Sequence, residues 1–205
     1  MKIIGITGGV GAGKTEVIRL IEKMCCCTIV VADDLARSLE KRGEVCYEPL
    51  VGLLGKDVLG PDGEIDSRKM AQAIFADGGK LLPAVNAIVH PAVKQRIREM
   101  IADSAADGVE WFFIEAALLI EDGYDKIADE LWYVYADEKV RRQRLKDSRG
   151  YSDEKISSIM ASQSSDSVFR KHCSVVIDNS FDRKHTEAQL AGIFNSDDGV
   201  RCDRD

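Results

Sequence analysis

"GITGGVGAGKTEV" occupies residues 5–17. Within it, Gly8, four further residues and Gly13-Lys14-Thr15 satisfy the spacing G-x-x-x-x-G-K-[ST]. The apolar residues 3–7 before it read as a buried strand. After it, Val17, Ile18, Ile21 and Met24 fall on one helical stripe. A glycine-rich turn between a strand and a helix is what a bound triphosphate requires. Glycines let successive backbone N–H groups turn inward around the phosphates. The helix N-terminus adds its partial positive charge. On this reading Gly9, Gly11, Ala12, Gly13 and Glu16 line a nucleotide, Lys14 reaches the β and γ oxygens of ATP, and Thr15 offers a hydroxyl to Mg²⁺.

Working outward, four more β-rich runs cover residues 28–32, 111–115, 131–136 and 175–178. Most are continuous apolar runs rather than alternations, as in parallel strands buried on both faces. Helical patterns separate them, at 137–146, 152–163 and 183–194 among others. The alternation predicts an α/β fold: a five-stranded parallel sheet with helices on both faces. One interval breaks the rhythm, because roughly seventy-five residues separate the second and third strands, far more than a crossover needs. It reads as a helical insertion, with helices at 34–42 and 45–54, a turn at Pro61-Asp62-Gly63, and a helix capped by Asp66 or Ser67. Two more helical segments follow, split at His90-Pro91, since a proline biases its predecessor away from the helix. The expected division is a core of 1–34, 108–137 and 172–195, an acceptor subdomain of 35–107, a lid of 138–171 and a disordered polar tail of 196–205.

The totals exclude several classes. The 205 residues are 45% apolar, enough for a real core, and carry a net charge of −7 with a pI near 5.1. A protein that grips a nucleic-acid backbone usually has the opposite sign. The six cysteines, three of them adjacent at Cys25, Cys26 and Cys27, form no C-x-x-C pair and read as reduced thiols. No secretion signal and no membrane span stand out, so a soluble, cytoplasmic protein without membrane or nucleic-acid partners is expected; the sequence does not give the oligomeric state, and a monomer is favoured.

Ligands of open α/β sheets sit outside the carboxyl ends of the strands. Acidic and amide residues gather there: Asp33-Asp34 after the second strand, Glu115 at the third, Asp178-Asn179 at the fifth. Phosphoryl transfer needs a carboxylate to take the acceptor's proton, a role suited to Asp33, while Glu115 suits a metal-bound water near Thr15 and Asn179 joins the nucleotide side. Arg141, Arg142, Arg144 and Arg149 form either a solvated helix face or the cations that transferred charge requires. No N-K-x-D run reads guanine, and no D-x-x-G follows the loop at a strand end, which disfavours a GTPase switch. A kinase of a small molecule fits the size.

Further stretches carry a resemblance. "ADDLARSL", "GPDGEIDSRKMAQAIFAD", "LLPAVNAIVHPAV", "EAALLIE", "RLKDSRGYSDEKISSIMASQ" and "VVIDNS" follow the loop in order. Together with it they resemble the dephospho-CoA kinase family from Ile3 to about Ser180. The resemblance implies a P-loop nucleoside-triphosphate hydrolase/kinase fold with a helical acceptor domain and a lid. It implies transfer of the γ-phosphate of ATP to the ribose 3′-hydroxyl of dephospho-CoA, giving coenzyme A. It makes Asp33 the base, with Lys14 and Arg144 also catalytic, and Arg144 and Arg149 the lid arginines. Arg37, His90 and Glu121 then lie around the acceptor, beside Asp33, and Thr15 and Glu115 serve the metal. Four departures stand against the family's pattern. Val31 replaces the first acid of D-A-D, Glu16 follows the loop where a hydroxyl residue is usual, Glu115 and Ala117 stand in D-x-P-L-L, and Val168 and Phe169 follow Gln163 where charged residues are usual. A kinase of another small acceptor, such as a nucleoside or nucleotide, and a catalytically weak nucleotide-binding regulator are the alternatives.

Overall fold

The computed structural model describes residues 1–76 and 78–196. The tail expected at 196–205 thus lies outside the described residues except for Ser196, and so does Cys202. Along the chain run β1 (Lys2–Thr7), α1 (Lys14–Met24), β2 (Cys27–Val31), α2 (Ala32–Leu39), α3 (Tyr47–Leu54), α4 (Ser67–Phe75), α5 (Leu82–Ala106), β3 (Trp111–Glu115), β4 (Glu130–Tyr135), α6 (Glu138–Arg149), α7 (Asp153–Ala161), α8 (Asp166–His172), β5 (Val175–Asp178) and α9 (Arg183–Ser196). Short 3₁₀ turns lie at Lys56–Val58 and Tyr124–Lys126. The chain divides into two compact units, one of Met1–Val30 with the chain from Ser104 on, the other Val31–Asp103.

The first unit holds the sheet. Its strands are parallel, in the order β2-β3-β1-β4-β5. β1 is central, with Ile4 opposite Phe113 of β3 and Ile6 opposite Trp132 of β4. Ile4, Ile6, Phe112, Phe113, Trp132 and Val134 are all fully buried, which is why these runs are apolar throughout rather than alternating. One face packs Val17, Leu20 and Ile21 of α1 and Leu190 of α9 against Phe113, Trp132 and Ile177. α1 buries Leu20 rather than Met24, which is 36% exposed, so the apolar stripe ends one turn earlier than its periodicity predicts. Aromatic rings fill the middle: Trp132 meets Phe113 edge-on at 5.6 Å, and Trp111 meets Phe194 edge-on at 5.3 Å. Such pairs add about 0.5–1.5 kcal/mol each beyond their buried area.

Two sequence expectations are corrected. Asp33 does not end a strand: β2 stops at Val31, and Asp33 and Asp34 form the first turn of α2. α8 has no counterpart in the predicted elements. It is seven residues long and buries one side chain, Phe169, whose ring stacks on Tyr133 at 4.7 Å. Its two apolar residues, Val168 and Phe169, are adjacent and only Phe169 is buried, so seven residues offer no helical periodicity to detect.

In the second unit Asp66 caps α4, accepting from the N–H groups of Arg68 and Lys69. The turn at 61–63 is closed by the Leu59–Ile65 bridge and by Tyr47 Oη donating to the Gly63 carbonyl. Pro49 sits in the first turn of α3, where its missing N–H has no helical partner to lose. The split at His90-Pro91 is not found: α5 runs unbroken for 25 residues through Pro91. An interior proline costs about 3 kcal/mol. Val85, Val89, Val93 and Ile97, spaced four apart on both sides of it, are buried, and each contributes roughly 1.5–3 kcal/mol. Burial on one continuous face outweighs the local break. His90 is thereby a half-buried position in the middle of a helix.

Gly5 lies in β1 where a Cβ would stand 2.7 Å from Leu131 Cδ2 and 3.0 Å from Leu119 Cδ1. Gly5→Ala should therefore cost about 1–3 kcal/mol in urea unfolding, with no change of secondary structure by circular dichroism. Cys173 is buried, and burial pushes its thiol from the ordinary 9.0 up to about 11. The raised value means the folded state holds the proton longer than the unfolded chain. That contribution is whole below pH 9.0 and is lost as pH rises towards 11. Urea midpoints measured across this window should fall less steeply for Cys173→Ala than for the wild type.

Candidate active site

The turn between β1 and α1 is held by its carbonyls. Val10 O accepts from Arg141 Nε at 2.8 Å. Ala12 O accepts from Asn179 Nδ2 at 2.8 Å and from Arg144 Nη1 at 3.2 Å. Gly8 O accepts from Lys14 Nζ at 2.9 Å. Asn179 is itself fixed: it is buried, its Oδ1 accepts from Thr186 Oγ1 at 3.0 Å, and its carbonyl accepts from Arg144 Nη2 at 2.8 Å. With these carbonyls engaged, the N–H groups of Gly11, Gly13, Lys14 and Thr15 carry no hydrogen bond among the described residues. Four unspent donors at a helix N-terminus make an anion cradle.

The close grip explains two glycines by space as well as by φ. A Cβ at residue 9 would overlap the Arg141 guanidinium, and one at residue 13 would overlap the Asn179 amide. Gly13, with φ 91°, also caps α1 in the left-handed region.

Lys14 leaves the first turn of α1 and bridges the loop to the next strand. Its Nζ stands 3.4 Å from Glu115 Oε1, and both side chains are mostly buried, at 17% and 13% exposed. Thr15, beside it, is exposed. Glu16 stands 43% exposed between Arg19 at 3.9 Å and Arg183 at 3.8 Å. Its carboxylate is flanked by two cations.

The arginine cluster divides. Arg141 and Arg144 turn to the loop. Arg142 pairs with Glu138 at 2.7 Å and donates to Ser157 Oγ at 3.0 Å. Arg149 is exposed near the Tyr151 ring, where Gly150 ends α6 in the left-handed region. Burial lowers the Arg141 pKa from its ordinary value, and the guanidinium keeps its charge at neutral pH.

The first unit thus brings together Gly9, Gly11, Ala12, Gly13, Lys14, Thr15, Glu115, Arg144 and Asn179. Glu121 lies on the loop after β3, where its carboxylate accepts from Ser164 Oγ at 2.5 Å. The second unit carries Asp33, Arg37 and His90. Arg37 pairs with Asp34 at 2.8 Å, and Asp33 is exposed. Gln163 and Thr186 belong to the site without having been assigned to it from sequence, and Arg141, one of the four arginines weighed as cations, proves to be one of the two that face the loop. Gln163 touches the loop across 153 residues, at Val10; it closes the 144–163 stretch that carries the resemblance, but its own contact has no local signal.

The donor set fits a nucleotide-borne Mg²⁺. Such an ion takes one or two protein oxygens and completes its shell from phosphates and water. Thr15 and Glu115 offer that number, and no cluster of three metal-ligating side chains exists among the described residues.

The dephospho-CoA kinase family model matches residues 2–184. A dephospho-CoA kinase of Carboxydothermus hydrogenoformans is 34% identical over 195 residues, covering 95% of this chain and 93% of its own. The crystal structure of TT1252 from Thermus thermophilus superposes with a TM-score of 0.78 at 28% identity, covering 95% of this chain and 97% of its own. A dephospho-CoA kinase from Campylobacter jejuni, 18% identical, shares the fold with a TM-score of 0.72 over 96% of this chain and 97% of its own. By its loop, its sheet and these matches, the chain belongs to the dephospho-CoA kinase family.

Proposed function

We propose that the chain transfers the γ-phosphoryl group of ATP to the ribose 3′-hydroxyl of dephospho-CoA, yielding coenzyme A and ADP. The observation that carries this reading is the cradle of unspent N–H groups with Lys14 poised between the loop and Glu115, in a chain of this family. The cradle's N–H groups hold the ATP phosphates. Lys14 keeps the Gly8 carbonyl and exchanges Glu115 for phosphate oxygens. Thr15 and Glu115 would hold Mg²⁺, which would supply positive charge against the triphosphate. Arg144, already at the Ala12 carbonyl, and Arg149, at the exposed end of α6, supply the cations of a lid formed by residues 138–171. Asp33 accepts the proton of the 3′-hydroxyl as that oxygen forms its bond to γ-phosphorus and the bond from γ-phosphorus to the β–γ bridging oxygen breaks. Arg37, His90 and Glu121 serve the acceptor.

Glu16 does not favour the reading of a catalytically weak regulator. Its carboxylate faces two arginines, so the loop gains no uncompensated negative charge.

Coupled ADP release with a panel of acceptors tests the substrate: turnover is expected with dephospho-CoA, and turnover with a nucleoside but not with dephospho-CoA overturns the assignment. Asp33→Asn should leave ATP binding intact by calorimetry and lower kcat by roughly 10²–10⁴-fold. A kcat within a few-fold of the wild type would remove Asp33 as the base.

A further inference from the structure

Besides its cradle, the loop has a second hold, at Val10, whose backbone N–H and carbonyl are both taken by side chains from the α6–α8 segment. The Val10 N–H donates to Gln163 Oε1 at 2.9 Å. The Val10 carbonyl accepts from Arg141 Nε at 2.8 Å. The two side chains also meet, Arg141 Nη2 standing 3.3 Å from the same Gln163 Oε1. One amide oxygen therefore accepts from both the loop and the arginine, and the ring closes on itself. Gln163 and Arg141 are both partly buried, and α6 comes so close that a Cβ at residue 9 or 11 would collide with Arg141.

We propose that Arg141 and Gln163 are positioning residues for ATP: they clasp the two peptide groups that flank the Val10 Cα and thereby fix how the rest of the loop presents its N–H groups. The Val10 N–H belongs to the 9–10 peptide and the Val10 carbonyl to the 10–11 peptide, so two successive peptide planes are held, each by one bond. The 10–11 plane also carries the free N–H of Gly11, so the bond from Arg141 sets the direction of that donor. The clasp thus withdraws one N–H from the cradle and in return orients those that remain. Gln163 follows α7 and Arg141 lies on α6, so the same bonds tie the loop to the segment that bears Arg144 and Arg149. A movement of that segment is transmitted to the phosphate site through the two peptide groups at Val10. This inference rests on ATP as phosphate donor and not on the identity of the acceptor.

The chemistry of the clasp selects the test. Only the oxygen of Gln163 is used, as an acceptor. Gln163→Met removes it at similar length, whereas Gln163→Glu keeps an acceptor and adds attraction to Arg141. Losing two hydrogen bonds should weaken ATP binding by about tenfold, measured by calorimetry in the Gln163→Met enzyme. The KM for dephospho-CoA should stay within about twofold, and amide exchange of the 8–13 loop should quicken. Gln163→Glu should restore slow exchange in the loop. Arg141→Lys, which keeps the charge but cannot hold both the Val10 carbonyl and Gln163, should resemble Gln163→Met and serves if that variant is poorly folded. Wild-type ATP affinity together with unchanged loop exchange in Gln163→Met overturns the clasp. So does an equal quickening of exchange in Gln163→Met and Gln163→Glu. Failure of the wild type itself to bind ATP overturns the kinase reading instead.

Discussion

The loop between β1 and α1 must be bare of side chains and yet rigid, and these demands conflict. Glycine loses more conformational freedom on ordering than any other residue, on the order of 0.5–1 kcal/mol each relative to alanine. Gly8, Gly9, Gly11 and Gly13 concentrate that cost in six residues. The offset comes from outside the loop. Arginines on α6, the buried Asn179 after β5 and Gln163 after α7 take up its carbonyls and one N–H. Hydrogen bonds from charged donors contribute roughly 1.5–3 kcal/mol each. The loop is therefore ordered before any anion arrives, and little of the anion's interaction energy goes into ordering it.

The sheet order makes this possible. β1 is central, so the loop leaves the sheet with β3 on one side and β4 on the other. The carboxylate for Lys14 comes from the end of β3, and the arginines come from the helix that follows β4. Asn179 comes from the end of β5, one strand further out. All project from the carboxyl edge, where parallel strands end together. The fully buried Trp132 and Phe113 fix β4 and β3 against α1 and α9 and so set the spacing of these donors. An error of packing at those rings would be felt at the loop.

The parts most legible in the sequence were those with a strong local signature. Continuous apolar runs marked most of the strands, because a parallel strand buried on both faces has no polar face to disguise it. The loop was legible because glycine spacing and Lys-Thr chemistry are both local. Pro91 misled because a local penalty of about 3 kcal/mol was read without the buried valine stripe that exceeds it. Asp33 was placed at a strand end because an apolar run does not reveal where pairing stops and helix begins. The contact of Gln163 was the least accessible: its amide oxygen accepts from the Val10 N–H and from Arg141, and although Gln163 closes a stretch that carries the resemblance, nothing in that stretch says which backbone group it meets.

Charge at the loop follows the same economy of pairing. An ammonium 17% exposed needs partners, and Lys14 has two, the Gly8 carbonyl and the Glu115 carboxylate. Glu115, 13% exposed, gains from the same pairing. On the proposed reading, a triphosphate that draws Lys14 towards its own oxygens weakens that pair and adds negative charge beside the carboxylate. A nucleotide that brings its own cation would offset both effects, so burying two opposite charges together at the loop favours a donor that does not arrive as a bare anion.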